Sequence, residues 1–172
     1  MTAALRRSAI YEQLTRADAP ISANALAQRF SVTRQVVVGD IALLRAEGHR
    51  ITATPRGYMI PSETGLLRTI ACHHSGEDTQ KELFAMVDCG CTVLDVIVEH
   101  PVYGQLTAQL ALSSRYDVEQ FVQRMADSHA QPISALTDGV HLHTLSCPSE
   151  DAFAHLKATL QSMGMLYEGS MA

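Results

Sequence analysis

The ten residues from Asp138 to Cys147 place the tightest limit on how this chain can fold. Their sequence is DGVHLHTLSC, in which Asp-Gly is typical of a turn and the apolar-rich remainder predicts a strand. Side chains alternate between the two faces of a strand, so His141 and His143 share one face. By itself the pair fits two ordinary strand histidines better than half of a transition-metal site, so the metal interpretation needs support from the rest of the chain.

The composition is that of a protein with an apolar core and no membrane segment. The chain has 172 residues, of which 47% are apolar, enough for one large or two small domains. No apolar run approaches the roughly 20 residues that cross a bilayer. The first residues have helical spacing and internal charge, unlike a signal peptide. We therefore expect a cytoplasmic protein without a membrane partner.

The four cysteines follow no C-x-x-C pattern. In a cytoplasmic protein they are expected to be reduced, buried thiols. Cys72 and Cys147 lie near the histidines in sequence, and soft ligation of a metal by either of them stays an open alternative.

Charge is distributed unevenly along the chain, whose overall formal charge is −5. Residues 1–60 contain eight basic and four acidic residues, a net charge of +4. Residues 61–172 contain five basic and fourteen acidic residues, a net charge of −9. This asymmetry indicates a polyanion-binding head on a body that avoids nucleic acid. The composition changes at Pro-Ser-Glu-Thr-Gly, residues 61–65, so we predict two domains, 1–61 and 66–172.

The first sixty residues are predicted to form three helices and a hairpin. Apolar spacing places a helix at about residues 3–16, a short one from Ser22 or Ala23, and a longer one that Thr33 caps and Gly48 ends. Residues 50–60 alternate around Pro-Arg-Gly, which predicts a β-hairpin with a basic tip. These are the elements of a winged helix-turn-helix. The stretch ISANALAQRFSVTRQVVVGDIALLRAEG resembles the DNA-binding heads of many bacterial regulators, and the similarity covers nearly all of residues 4–60.

The resemblance implies that the third helix enters the major groove of operator DNA. Four residues of this helix point away from its buried stripe and are candidates for base and phosphate contacts: Thr33, Arg34, Gln35 and Val38. Arg56 at the hairpin tip is a candidate for a phosphate or minor-groove contact. A winged helix used only for protein contacts is the alternative. Gly39 costs the helix roughly 1 kcal/mol relative to alanine. A close approach of this position to another helix or to the DNA backbone would explain why a glycine is present.

Beyond residue 65, the pattern predicts the order β-α-β-β-α-β with an added helix. This is a ferredoxin-like split β-α-β fold of the α+β class. Residues 105–113 fit a strand or a helix by themselves; their place before DVEQFVQRM and the family resemblance described below both favour a strand. In this topology the first and last strands are antiparallel neighbours. His74 at the end of the first strand therefore meets His141 at the start of the last, which brings three histidines together.

A fourth ligand is expected from the helix that follows His74. Glu82 lies on its first turns and could fold its carboxylate over the strand end, although Thr79-x-x-Glu82 also fits a capping box. His73 is expected on the opposite face, outside the site. Three imidazoles and a carboxylate suit zinc, nickel or iron(II), and not magnesium or calcium. A cupin site would need a glutamate soon after His143, where TLSCPSED leads into a helix instead.

Four segments, HSGEDTQKEL, DVIVEHPVYGQL, DVEQFV and PISALTDGVHLHTL, resemble the three-histidine (3H) domain. The whole chain resembles the niacin-responsive repressors of NAD biosynthesis (NiaR type). The resemblance implies one divalent transition metal per chain, of undecided identity, bound by His74, Glu82, His141 and His143. It also implies nicotinic acid as the effector, and a homodimer that represses genes of NAD synthesis or niacin uptake when niacin is present. The Cys-Gly-Cys sequence of residues 89–91 departs from the family's usual glycine-rich turn and has no implied role.

The pocket for a small pyridine carboxylate is predicted near the end of the second strand. His100 and Tyr103 could line it, with Ser134 as a further candidate, and a core histidine is the other interpretation of His100.

Two other functions stay open: a metalloregulator that senses the metal itself, and a metal-dependent enzyme with a DNA-binding head. The enzyme lacks an evident general base, because beyond His100 no serine, lysine or second carboxylate accompanies the proposed ligands.

Overall fold

A computed structural model describes residues 2–61 and 65–169, and the chain divides into two compact units between residues 63 and 64. The first unit contains the helices α1 (Ala3–Thr15), α2 (Ala23–Phe30) and α3 (Arg34–Ala46) and the hairpin strands β1 (Thr52–Thr54) and β2 (Gly57–Met59). Each helix begins after a hydroxyl residue whose oxygen accepts a main-chain N–H three residues later: Thr2, Ser22 and Thr33. The predicted helix-turn-helix and its wing are confirmed.

The core of the first unit is built from the apolar stripes of its three helices. It contains the buried side chains Ile10, Leu14, Leu26, Val37, Ile41, Leu44 and Ile51. A salt bridge of 2.6 Å between Arg6 and the buried Asp40 joins α1 to α3. Gly39 faces open space: among residues 2–61 and 65–169, no heavy atom outside its own helix turn lies within 4 Å of a Cβ built on it. Its predicted close approach to another helix is therefore wrong, and an approach to DNA stays a prediction.

The second unit follows the predicted order β-α-β-β-α-β-α. Its elements are β3 (Leu66–His73), α4 (Thr79–Asp88), β4 (Thr92–His100), β5 (Gly104–Leu112), α5 (Arg115–Asp127), β6 (Val140–Cys147) and α6 (Glu150–Ser162). Two short 3-10 helices, Gly76–Asp78 and Ile133–Thr137, precede α4 and β6. The segment that fitted either a strand or a helix is the strand β5. Within residues 65–169 no helix is long and apolar enough to cross a bilayer, and the same holds for residues 2–61.

The sheet of the second unit is antiparallel, with the strand order β3-β6-β4-β5. The first and last strands are neighbours as predicted, with Cys72 opposite His141 and Ile70 opposite His143. His74 lies one residue beyond the end of β3, and its N–H donates to the carbonyl of Gly139 at 3.4 Å. Strand pairing therefore brings the end of β3 to the beginning of β6.

One face of this sheet is covered by helices. The alternation along β6 buries His141, His143, Leu145 and Cys147 on that face. Leu145 packs there with buried residues of α4 and α6, among them Met86 and Leu160. The histidine pair therefore lies on the same face as the apolar core. Helix α5 begins after Ser114, which is its N-cap, and Asp117 completes a capping box from the third helical position.

Gly139 occupies a position where any side chain would strain the main chain. Its φ is +91°, and an added Cβ would lie 2.4 Å from the carbonyl oxygen of His74 and 3.3 Å from the ring of His73. The preceding residue, Asp138, also has a positive φ, of 51°. The turn predicted from Asp-Gly thus sets the approach of β6 to the end of β3.

Gly139→Ala is expected to lower the free energy of unfolding by about 1–3 kcal/mol, because it adds both a left-handed strain and a backbone clash. Urea denaturation followed by circular dichroism measures the change. Gly164→Ala is the matched control: its φ is +71°, but no atom of the described residues lies within 4 Å of its Cβ position. Equal losses in the two variants would contradict a role for close approach at residue 139.

Candidate metal centre

Glu82 is a carboxylate in the interior of the second unit, with 1% of its surface exposed. Its Oε2 lies 2.8 Å from Nε2 of His74 and 3.4 Å from Nε2 of His143. Its Oε1 lies 3.0 Å from Nε2 of His141. The three histidine side chains are themselves at most 4% exposed. The four residues predicted as metal ligands therefore form one buried cluster.

The alternative role of Glu82 as the partner in a capping box is wrong. Asp78 is the residue before α4, and its side chain makes no capping hydrogen bond. The hydroxyl of Thr79 is buried without a hydrogen-bond partner in the described part of the chain. Glu82 instead points from the first turns of α4 toward the strands.

Main-chain carbonyls orient all three imidazole rings. Each histidine donates from Nδ1 at 2.7–2.8 Å, and the acceptors are the carbonyls of Ser75 for His74, Gly139 for His141 and Asp95 for His143. In a neutral ring this hydrogen bond places the proton on Nδ1 and leaves Nε2, which faces Glu82, able to bind a metal or a further proton. Carbonyls that hold the second nitrogen of a ring in this way are the usual outer shell of a metal-binding histidine.

The cluster is incomplete without a positive charge. Nε2 of His141 forms a hydrogen bond of 3.0 Å with Oε1 of Glu82, whereas among the described residues Nε2 of His74 and of His143 has no hydrogen-bond partner. Protonation of all three rings would bury three positive charges around one negative charge, at a large desolvation cost. A divalent cation instead gives every lone pair a partner. Imidazole nitrogen and carboxylate oxygen together bind zinc, nickel or iron(II), so the residues fit a transition metal.

The electrostatics of the cluster depend on Glu82. Burial raises the pKa of Glu82, but the facing histidines, His143 first, more than offset this and hold the pKa well below its usual range. Burial lowers the pKa values of His74 and His143, and the nearby Glu82 carboxylate reverses this and raises both. In the absence of metal, the Glu82 carboxylate therefore favours protonation of His74 and His143.

All four cysteines lie in the described residues and are free thiols, three of them buried and Cys89 half-buried. The thiol of Cys91 donates to the sulfur of Cys147 at 3.1 Å, and burial, with help from that neighbour, raises the pKa of Cys91 to about 12. Cys147 lies six residues from His141 on β6, roughly 20 Å along the strand. Ligation by Cys147 is therefore wrong, whereas Cys72 lies directly opposite His141.

The residues predicted for the small-molecule pocket separate into two places. Ser134, 5% exposed, lines a cleft of about 520 Å³ together with His73, His74, Asp138 and Gly139. His100 and Tyr103 lie at the turn between β4 and β5, outside the residues that line this cleft. There Nδ1 of His100 accepts the N–H groups of Val102 and Tyr103 at 3.2 Å.

His73 stays outside the metal cluster, as predicted, and its Nε2 contacts the carbonyl of Asp138 at 3.2 Å.

The residues predicted to contact DNA lie on the first unit. Thr33, Arg34 and Gln35 are exposed at the beginning of α3, and Val38 is half-buried one turn later. Arg56 lies in the tip of the hairpin, where its N–H donates to the hydroxyl of Thr54 at 3.2 Å. Their roles stay predictions.

Asp95 is a site residue that the sequence pattern did not single out. It is 9% exposed, its carbonyl holds His143, and its carboxylate accepts the N–H of Thr144 at 2.9 Å. The pairing of β4 with β6 shifts register between Val93 and Ile97, on either side of Asp95. A carboxylate within the apolar sequence TVLDVIV was the signal that could have revealed it.

Metal-free protein is expected to lose stability as the pH rises through neutrality. The pKa values of His74 and His143 are raised above 6.5, so their contribution is complete below this pH and is lost as the pH passes their folded-state values. The pKa of Glu82 is lowered from 4.5, so its contribution is complete above this pH and is lost as the pH falls through its folded-state value. Urea denaturation at several pH values, on protein freed of metal by a chelator, measures the loss of stability in both the neutral and the acid range.

Metal-loaded protein is the control, and its free energy of unfolding should change with pH near neutrality in the opposite direction. Protons compete with the metal for the imidazoles, so its stability rises with pH there. Identical pH profiles for the chelated and the metal-loaded protein would contradict the coupling of these histidines to Glu82.

Both units match known protein families. Residues 6–59 match the HTH domain and residues 67–169 match the 3H domain. The chain is 40% identical over 164 residues to the probable transcription repressor NiaR of Thermotoga maritima, covering 95% of this chain and 94% of that protein. It is 40% identical over 166 residues to the transcription repressor NadR of Bacillus subtilis, covering 94% of this chain and 92% of that protein.

These similarities confirm the resemblance inferred from the sequence. Both relatives are named as repressors, so the enzyme alternative is wrong and the prediction of a regulator is confirmed. The carboxyl-terminal unit, which carries the buried cluster, is a 3H domain, and the amino-terminal unit is a helix-turn-helix domain. The chain belongs to the NiaR/NadR family of transcription repressors.

Proposed function

We propose that this repressor binds one divalent transition metal through His74, Glu82, His141 and His143 and uses the metal to sense nicotinic acid. The observation that carries the proposal is the buried Glu82 carboxylate, faced by three Nε2 atoms at 2.8–3.4 Å. Each ring is already held in the tautomer that a metal requires. When bound, the metal supplies a fixed positive charge at the centre of the cluster.

The cleft beside His74 is our candidate for the effector site. Its volume of about 520 Å³ lies within the range typical of small-molecule sites. Met163 and Met165 line the cleft with apolar side chains that could contact a flat ring, and Ser134 adds a polar side chain to the lining. Asp78 and Asp138 also border the cleft, and they would repel an anionic ligand. A cation behind His74 offsets this repulsion, which makes binding of a pyridine carboxylate dependent on the metal.

The first unit is proposed to read operator DNA as part of a homodimer. Its net charge of +4 over residues 1–60 favours a polyanion, and the beginning of α3 presents Thr33, Arg34 and Gln35 to solvent. Two copies would place their α3 helices in successive major grooves, about 34 Å apart. Nicotinic acid acts as co-repressor by favouring the dimer arrangement that meets this spacing.

Operator binding is expected to tighten about 5- to 150-fold with nicotinic acid, the usual range of allosteric coupling. The measurement is fluorescence anisotropy at fixed salt, with a duplex that the full chain selects from random-sequence DNA. Chelation should abolish the effect, and nicotinamide, which lacks the carboxylate, should not produce it. Coupling is reciprocal, so the duplex must tighten nicotinic acid binding by the same factor. Operator affinity that follows the metal and ignores nicotinic acid would instead identify a metalloregulator.

Arg34→Ala is expected to cost about 1–3 kcal/mol of operator affinity and to relax base preference at one position, because arginine reads guanine in a bidentate manner. Arg56→Ala should weaken binding to all sequences and reduce the salt dependence by about one phosphate contact. Arg124→Ala, the same charge change on an exposed residue of α5, is the matched control. Losses of equal size in all three variants would contradict a specific role for α3 and the hairpin.

A further inference from the structure

Cys72 lies on the wall of the metal cluster and has no part in the set of four proposed ligands. It is fully buried on β3, directly opposite His141 on β6. Because side chains alternate along a strand, Cys72 lies on the same face as Ile70, which is opposite His143. The thiol is therefore directed to the helix-covered face of the sheet that carries both histidines.

The donor atoms of Cys72, Glu82 and His141 lie within 4.8 Å of one another. Donor atoms that share one zinc or nickel ion lie roughly 3–4 Å apart, given metal–sulfur bonds of about 2.3 Å and metal–nitrogen bonds of about 2.0 Å. A small side-chain adjustment therefore brings the sulfur within bonding distance of the cation that Glu82 and His141 would hold. Cys147 is equally buried on the same face but has Cys91 as its neighbour, at 3.1 Å.

We propose that Cys72 is a fifth donor to the metal of this repressor. The S–H bond breaks, a sulfur–metal bond forms, and the proton is released to solvent. The inference rests on the metal site proposed above and adds a soft ligand to its nitrogen and oxygen donors. Sulfur favours zinc, nickel, cobalt or iron(II) over manganese and excludes magnesium and calcium. Cys72 would thus set which metal this family member carries.

The test is titration of metal-free, full-length protein with Co²⁺, followed by absorption spectroscopy. We expect one Co²⁺ per chain and a sulfur-to-cobalt charge-transfer band in the near ultraviolet. Cys72→Ser should lose this band, keep the visible bands of a nitrogen- and oxygen-bound ion, and bind Co²⁺ about 10- to 100-fold more weakly. Cys147→Ser, which changes an equally buried thiol at the far end of β6, should keep the band.

The possible outcomes distinguish failure of the Cys72 proposal from failure of the metal site as a whole. Binding of one Co²⁺ without a charge-transfer band in the wild-type protein overturns the role of Cys72 and leaves the four-ligand site intact. A band that Cys147→Ser removes and Cys72→Ser retains also overturns it. Wild-type protein that binds no Co²⁺ overturns both the proposed site and this inference.

X-ray absorption spectroscopy of wild-type protein loaded with zinc provides a measurement that needs no variant. A sulfur shell at about 2.3 Å, beside nitrogen and oxygen at about 2.0–2.2 Å, supports the proposal. A first shell of nitrogen and oxygen alone overturns it, even if Cys72→Ser fails to fold.

Discussion

The second unit is organised around a negative charge that it has almost wholly removed from water. Glu82 is 1% exposed, and the Nε2 atoms of three histidines lie 2.8–3.4 Å from its oxygens. Burial of a carboxylate is costly unless positive charge or hydrogen bonds compensate it. Removing one partner leaves the others with an uncompensated charge, so the four side chains act as a unit. A cation among them satisfies Glu82 and the bare ring nitrogens at once.

The fold supplies this unit from separate parts of the chain and holds it through its main chain. His74 follows β3, His141 and His143 lie on β6, Glu82 lies on α4, and the carbonyl of Asp95 on β4 orients His143. Gly139 has two tasks, because its carbonyl accepts Nδ1 of His141 and its lack of a side chain admits the carbonyl of His74. The cleft is bordered by the same turn and by the end of α6. A ligand there would contact elements that also hold the metal, which is a physical route from sensing to a change of conformation.

Much of this arrangement could be predicted from the sequence, because it follows from local patterns and simple topology. The H-x-H strand, the Asp-Gly turn and the adjacency of first and last strands were enough to bring His74, His141 and His143 together. The position of Glu82 needed tertiary packing to decide, since its spacing from Thr79 fits a capping box equally well. Asp95 and the Cys72–His141 pairing depend on strand register, which a pattern of alternation does not specify. The predicted roles of His100 and Tyr103 rested on chain order, and these residues lie at a turn beyond the cleft lining.

The most direct measurement of the central claim is an anomalous diffraction map from crystals of the metal-loaded full chain, recorded at the absorption edge of the metal. We predict one peak per chain, about 2.0–2.2 Å from Nε2 of His74, His141 and His143 and from a carboxylate oxygen of Glu82. A fully loaded protein whose peak lies away from these four side chains would contradict the claim that they form the metal centre.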